Sequence, residues 1–224
     1  MPWLGHKTSG LTRWLKPWIV RMGMLRLSVV GVMGFAAVLA LGTATAQDME
    51  ARAKKVISGS CFLCHGATGE SSSEVFPKLA GQHAGYIAKQ LANFKSGKRK
   101  STAMRDMVAK LTPEEMLAIG QFFEKQTLPV TPTKELDLAK VGEYIYHKGN
   151  SYSGVPACAS CHGKAGLGTD SLPRLAGQFP HYLEAQLKQF NTRERNNDNA
   201  VMHSVASKMT ALEIAAVAEY LGAK

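Results

Sequence analysis

Cys61-Phe62-Leu63-Cys64-His65 recurs as Cys158-Ala159-Ser160-Cys161-His162, and these two pentapeptides hold all four cysteines of the chain. In C-x-x-C-H the thiols lie about one helical turn apart, so both can add across the vinyl groups of one haem while the adjacent imidazole lies under the iron. Each pentapeptide therefore reads as a c-type haem attachment site. Cys61, Cys64, Cys158 and Cys161 are the expected covalent anchors, and His65 and His162 the expected proximal iron ligands. The competing readings of C-x-x-C are a thioredoxin-like redox pair and half of a zinc site. The first belongs beside a β-α-β pattern, which this sequence lacks. The second needs no histidine after each second cysteine, and with seven histidines in 224 residues chance would rarely supply both.

Outward from the motifs the chain continues to repeat itself. Phe76-Pro77-Lys78-Leu79-Ala80-Gly81-Gln82 is echoed by Leu172-Pro173-Arg174-Leu175-Ala176-Gly177-Gln178, and the echo runs on through Tyr86/Tyr182, Gln90/Gln186, Leu91/Leu187 and Phe94/Phe190. The offset is 97 residues at the cysteines, 96 at the prolines and 98 at the later methionines, so the copies differ only by short insertions. Two homologous domains are expected, 47–132 and 133–224. Leu128-Pro129-Val130-Thr131-Pro132-Thr133, with two prolines and no helical period, reads as the linker.

Each copy is patterned as helix. Thr112-Pro113 followed by Glu115 is a capping box with proline at the first helical position, and Met116, Ile119, Phe122 and Phe123 supply an apolar stripe. Thr210 and Glu213 repeat the box ahead of Ile214, Val217 and Leu221. Residues 84–95 and 180–191 form a second amphipathic helix in each copy, and a further helix is expected before each motif, around 49–57 and 136–147. No stretch alternates as a sheet would, so the fold class is all-α. Domains of this size bury limited apolar surface, so an enclosed macrocycle would supply much of each core.

The sixth ligand on each iron separates an electron carrier from a haem enzyme, because a filled position shuts out oxygen and peroxide. Aligning Thr112 with Thr210 sets Met104 opposite Met202, each eight residues before the threonine. Met107 falls opposite Val205 and Met209 opposite Leu111, so only Met104 and Met202 are matched. A thioether is a soft ligand suited to ferrous iron, although methionine at helical spacing is more often core filling. Met107 and His203 are the fallbacks. His83 and His181 are unmatched and read as surface or core histidines.

Residues 1–46 read as an export signal. Lys7, Arg13, Lys16, Arg21 and Arg26 are followed by an apolar run from Leu27 to Leu41 and by the small-residue site Ala44-Thr45-Ala46. The run is short of the roughly twenty residues that a membrane-spanning helix needs. Cleavage would leave Gln47 as the new N-terminus; retained instead, the segment would tie the protein loosely to the membrane. Met22 or Met24 would each begin a more ordinary signal. The chain carries +10 in all, and removing the five basic residues of the signal leaves +5, which takes away most of the case for a nucleic-acid partner. Lys95, Lys98, Arg99 and Lys100 read either as a solvated helix end or as a docking patch for an acidic partner.

The repeated C-x-x-C-H, the proline eleven or twelve residues beyond it, the Leu-Ala-Gly-Gln segment and a methionine before a capped terminal helix together resemble the di-haem cytochrome c4 family. The resemblance implies two tandem class I cytochrome c domains about an approximate twofold axis, each with one covalent haem held by histidine and methionine. It further implies that the carbonyls of Pro77 and Pro173 fix the proximal imidazoles. The implied function is electron transfer in the periplasm, without catalysis, from a donor such as a cytochrome bc complex to an acceptor such as a terminal oxidase. A haem-bearing subunit of a larger dehydrogenase is the alternative. The polar run from Arg193 to Asn199 before Met202 departs from the family's usual pattern.

Overall fold

In a computed structural model, residues 46–133 and 135–224 are described; all but the last residue of the expected export signal lies outside them. The first domain opens with helix α1 (residues 46–56), which widens into a π-turn over Ile57–Cys61 and closes as α2 (Phe62–His65). Three helices follow: α3 (Ala84–Lys95), α4 (Thr102–Val108) and α5 (Pro113–Glu124). The second domain repeats the plan with α6 (Leu136–Lys148), α7 (Ala159–His162), α8 (Pro180–Asn191), α9 (Val201–Ala206) and α10 (Ala211–Gly222). Among the described residues the only strand-like pairing is one bridge between Asn150 and Val155, which closes a loop between α6 and α7. No described helix is long and apolar enough to cross a membrane.

The terminal helices begin where their sequence dictates. Thr112 accepts from the Glu115 N–H while the Glu115 carboxylate accepts from the Thr112 N–H, and Thr210 and Glu213 do the same, so each box satisfies two otherwise orphaned donors. The apolar stripes then fill two separate cores. Ala53, Ile57, Ile87, Phe94, Val108, Met116, Ile119 and Phe123 form the first. Ile145, Tyr146, Leu183, Met209, Ile214, Val217 and Leu221 form the second. Close helix crossings require glycine: a Cβ on Gly142 of α6 would lie 1.9 Å from the Ala216 carbonyl oxygen of α10, and one on Gly120 of α5 would lie 2.5 Å from that of Ala84.

The two domains meet through a seam that obeys twofold symmetry. Gln178 Oε1 accepts from the Lys78 N–H and its amide nitrogen donates to the Lys78 carbonyl, both at 2.9 Å. Gln82 makes the same two bonds to Arg174, also at 2.9 Å. The Lys78 ammonium donates to the carbonyls of Pro129 and Gly177 and lies over the Phe179 ring.

Candidate metal centres

In the first domain Cys61 ends the π-turn, and Cys64 and His65 lie on the single turn of α2. Gly66, at φ 78°, then turns the chain away in the left-handed region, as Gly163 does at φ 77° after the second motif. In the second domain Tyr146, fully buried on α6, donates to the Gly163 carbonyl at 2.6 Å and so pins the end of that motif; burial pushes its phenol up to about 12. All four cysteines are free. Burial raises the Cys61 thiol and pushes that of Cys158 up to about 11, so neither is poised as a thiolate nucleophile. Cys61 and Cys158 also pack against different cores, and among the described residues no three motif cysteines and histidines converge. A shared four-ligand zinc site is therefore not assembled.

Both motif histidines are buried, and each uses Nδ1 on a proline carbonyl. His65 Nδ1 lies 2.9 Å from the Pro77 oxygen, and His162 Nδ1 lies 3.3 Å from the Pro173 oxygen. A carbonyl can only accept, so Nδ1 carries the proton and Nε2 is left with its lone pair. Burial lowers the pKa of both rings, outweighing the opposing effect of the carbonyl bond, which favours the neutral imidazole that binds a metal. Neutral imidazoles of fixed tautomer beside paired thiols one turn apart fit a covalently held haem in each domain.

Met104 lies on α4 and Met202 on α9, two short helices that the apolar pattern did not disclose. Both are half-buried, and Met104 packs against the first core. Each is set by a polar residue upstream: Ser101 accepts from the Met104 N–H at 3.3 Å, and the Asp198 carboxylate accepts from the Met202 N–H. Met107 is 53% exposed, and Met209 is buried in the second core just as its counterpart Leu111 is buried in the first, so Met209 fills a core position. His203 Nδ1 is engaged by the carbonyls of Phe190 and Asn191.

The polar run before Met202 serves the seam. Arg195 and Asn197 are buried, and the Arg195 guanidinium bonds Gln186 of its own domain and Tyr86 of the other, while stacking on Phe190. Arg99 mirrors it, bonding Gln90 of its own domain and Tyr182 of the other, and stacking on Phe94. Burial alone would raise the Tyr182 phenol, but the Arg99 and Arg195 charges outweigh it and hold that pKa below the ordinary tyrosine value. This corrects the reading of Lys95, Lys98, Arg99 and Lys100 as one solvated cluster. Arg99 turns into the seam, while Lys95, which also donates to the Leu111 carbonyl, stays exposed with Lys98 and Lys100.

Comparison with known proteins accords with this arrangement. The cytochrome c family pattern matches residues 50–146 and again 139–223. Cytochrome c4 of Thiocapsa roseopersicina is 42% identical over 169 residues, covering 73% of this chain and 86% of that protein. The thiosulfate dehydrogenase electron acceptor of Stutzerimonas stutzeri (strain A1501) is 39% identical over 165 residues, covering 71% and 76%. The crystal structure of reduced recombinant cytochrome c4 from Pseudomonas stutzeri superposes with a TM-score of 0.73 at 33% identity, covering 77% of this chain and 96% of that one.

Proposed function

Because this chain belongs to the cytochrome c4 family, whose members are di-haem electron carriers and not enzymes, we propose that it shuttles electrons in the periplasm between respiratory-chain partners, for example to a terminal oxidase. In this reading Cys61 and Cys64 would anchor one of its two covalent haems and Cys158 and Cys161 the other, and His65 with Met104, and His162 with Met202, would hold the two irons. Each haem supplies a reversible one-electron iron couple. The residues of the chain keep that couple clean. The proline-bonded histidines hold one nitrogen lone pair in a fixed direction, and a methionine opposite would leave no position for oxygen or peroxide. The seam holds the two domains in one relative orientation through neutral amide pairs and the cross-domain bonds of Arg99 and Arg195.

The observation that carries the reading is the repetition of the histidine–proline bond in both domains. The test is the absorption spectrum of the purified protein, oxidised, reduced, and reduced under carbon monoxide, with haem counted per chain. Two low-spin haems indifferent to carbon monoxide are expected. One haem that binds carbon monoxide would mean a vacant sixth position and would end the carrier reading. Export is tested separately, by sequencing the N-terminus of protein recovered from a periplasmic extract, where Gln47 is expected first.

A second reading makes the chain the electron acceptor of a particular periplasmic dehydrogenase, supported by its likeness to the thiosulfate dehydrogenase electron acceptor. Rapid reduction by such an enzyme with thiosulfate, against slow reduction by a cytochrome bc complex, would select it.

A further inference from the structure

The seam follows the repeat almost residue for residue, but one corner does not. His83 at the start of α3 has Phe179 as its counterpart, and Glu124 at the end of α5 has Gly222. At that corner His83 and Glu124 of the first domain meet Leu167 and Asp170 of the second. His83 Nε2 lies 2.7 Å from the Leu167 carbonyl oxygen, while Nδ1 lies 3.7 Å from Glu124 Oε1 and 4.0 Å from Asp170 Oδ1. The three candidate ligand atoms all fall within 4.8 Å of one another. Glu124 Oε1 also accepts from the Ala84 N–H at 3.1 Å.

The Leu167 carbonyl decides what this corner can bind. Because a carbonyl only accepts, Nε2 carries the proton, and in the neutral ring Nδ1 presents a lone pair. That lone pair is gathered with two carboxylate oxygens that are also acceptors, and among the described residues no lysine or arginine pairs with either carboxylate. Electron-rich atoms brought together repel one another unless a cation lies between them. A second proton on Nδ1 would make His83 an ion-pair partner of both carboxylates, and a metal ion at the same point would remove the repulsion in its place.

We propose that His83 Nδ1, Glu124 and Asp170 form a divalent-cation site bridging the two domains, of the class that takes zinc and other borderline transition ions through imidazole and carboxylate donors. The Leu167 carbonyl takes the place that a backbone carbonyl commonly has behind a metal-bound histidine, fixing tautomer and ring orientation. Donors about 2.0–2.1 Å from a tetrahedral ion lie about 3.4 Å apart, so the observed 3.7 and 4.0 Å, and the 4.8 Å that bounds all three pairs, call for an inward shift of at most about 1.4 Å. Asp170, 89% exposed, is free to make it. Water would complete the coordination. The site has no twin across the axis, since phenylalanine and glycine at the related corner offer no ligand.

The test is zinc binding by the haem-loaded protein, followed by calorimetry and by counting zinc against iron after dialysis. One zinc per two irons is expected, with an imidazole and oxygen shell by X-ray absorption at the zinc edge. Affinity should fall about tenfold or more in Asp170→Asn and in His83→Phe, the latter restoring the residue of the second copy. Zinc should raise the thermal midpoint of the parent protein and raise that of both variants less at the same zinc concentration. Asp170→Asn, at an exposed loop position, keeps the fold, and unchanged haem spectra verify this. No saturable zinc binding would overturn the inference and leave His83 as a hydrogen-bonding residue alone. Equal zinc uptake by both variants would also overturn it, because the ion would then lie elsewhere.

Discussion

Gln178→Met should loosen the seam by an amount that the geometry sets. Gln178 is buried, and its side-chain amide satisfies both backbone groups of Lys78, a residue only 5% exposed. Methionine matches glutamine in length but can neither donate nor accept in this way, so the Lys78 N–H and carbonyl would be stranded. Each buried backbone group left unpaired costs about 1–3 kcal/mol. With some return from added apolar contact, a net loss of about 3 kcal/mol at the seam is expected. The assay is hydrogen exchange of the Lys78 amide in the haem-loaded protein, where 3 kcal/mol corresponds to a loss of protection of about a hundredfold. Gln178→Glu is the discriminating companion. It keeps an acceptor for the Lys78 N–H but sets a carboxylate oxygen against the Lys78 carbonyl, so it should be as damaging at neutral pH and partly recover in acid, once the carboxyl is protonated and can donate. Gln82→Met should cost less, because its partner Arg174 is only half-buried and water can reach the freed groups. If Lys78 exchanges in Gln178→Met within a factor of about two of the parent rate, the reciprocal amides do not hold the domains together and the reasoning fails.

Four further outcomes are expected. Met104→Ala should convert one haem to a form that binds carbon monoxide while the other stays low-spin, and Met107→Ala, altering an exposed side chain, should change neither. Gly142→Ala should destabilise the second domain by about 2 kcal/mol, because its Cβ would meet the Ala216 backbone and the clash exceeds the gain in helix propensity; a thermal midpoint at or above that of the parent would contradict this. Hydrogen bonding from Asn150 and Thr210 holds the Glu213 carboxyl below the ordinary carboxylate value, so its contribution is present above about pH 4.5 and lost as pH falls through the lower folded value. Glu213→Gln should flatten acid destabilisation in that window, read by denaturant unfolding at stepped pH. Haem-free protein should lack a cooperative thermal transition, since each half closes only a small core of its own, and calorimetry of unloaded material would reveal one if it existed.

What could be read from the sequence follows the distance over which each signal acts. The capping boxes at Thr112 and Thr210 and the stripes behind them are local patterns, and they reappear as α5 and α10 with the expected first turns. Helices α4 and α9 escaped because seven and six residues are too few to show a period. Their signals were the side chains of Ser101 and Asp198, each accepting the N–H of the methionine that follows. The seam was illegible for a different reason. Gln178 and Lys78 are 100 residues apart, and a repeat states which residues correspond without stating which ones touch. Tyr86/Tyr182 and Gln90/Gln186 were visible as matched polar pairs on helices with an apolar face, yet nothing local indicated that Arg195 and Arg99 would cross between domains to reach them.

That crossing bears on which surface can meet a partner. Arg99 stands in the sequence among three lysines as a candidate docking charge, but a guanidinium stacked on Phe94 and bonded to Tyr182 and Gln186 has turned its donors into the protein. Lys95 donates to a backbone carbonyl but stays exposed and keeps its charge at the surface. Lys95, Lys98 and Lys100 of the cluster remain to attract an acidic partner, so neutralising those three should weaken the salt dependence of electron transfer as much as neutralising all four. Neutralising Arg99 alone should instead leave the salt dependence intact and lower the thermal midpoint, because it removes cross-domain hydrogen bonds and not surface charge. A salt dependence that falls with Arg99→Gln and not with Lys95→Gln/Lys98→Gln/Lys100→Gln would show that the seam itself is the docking face.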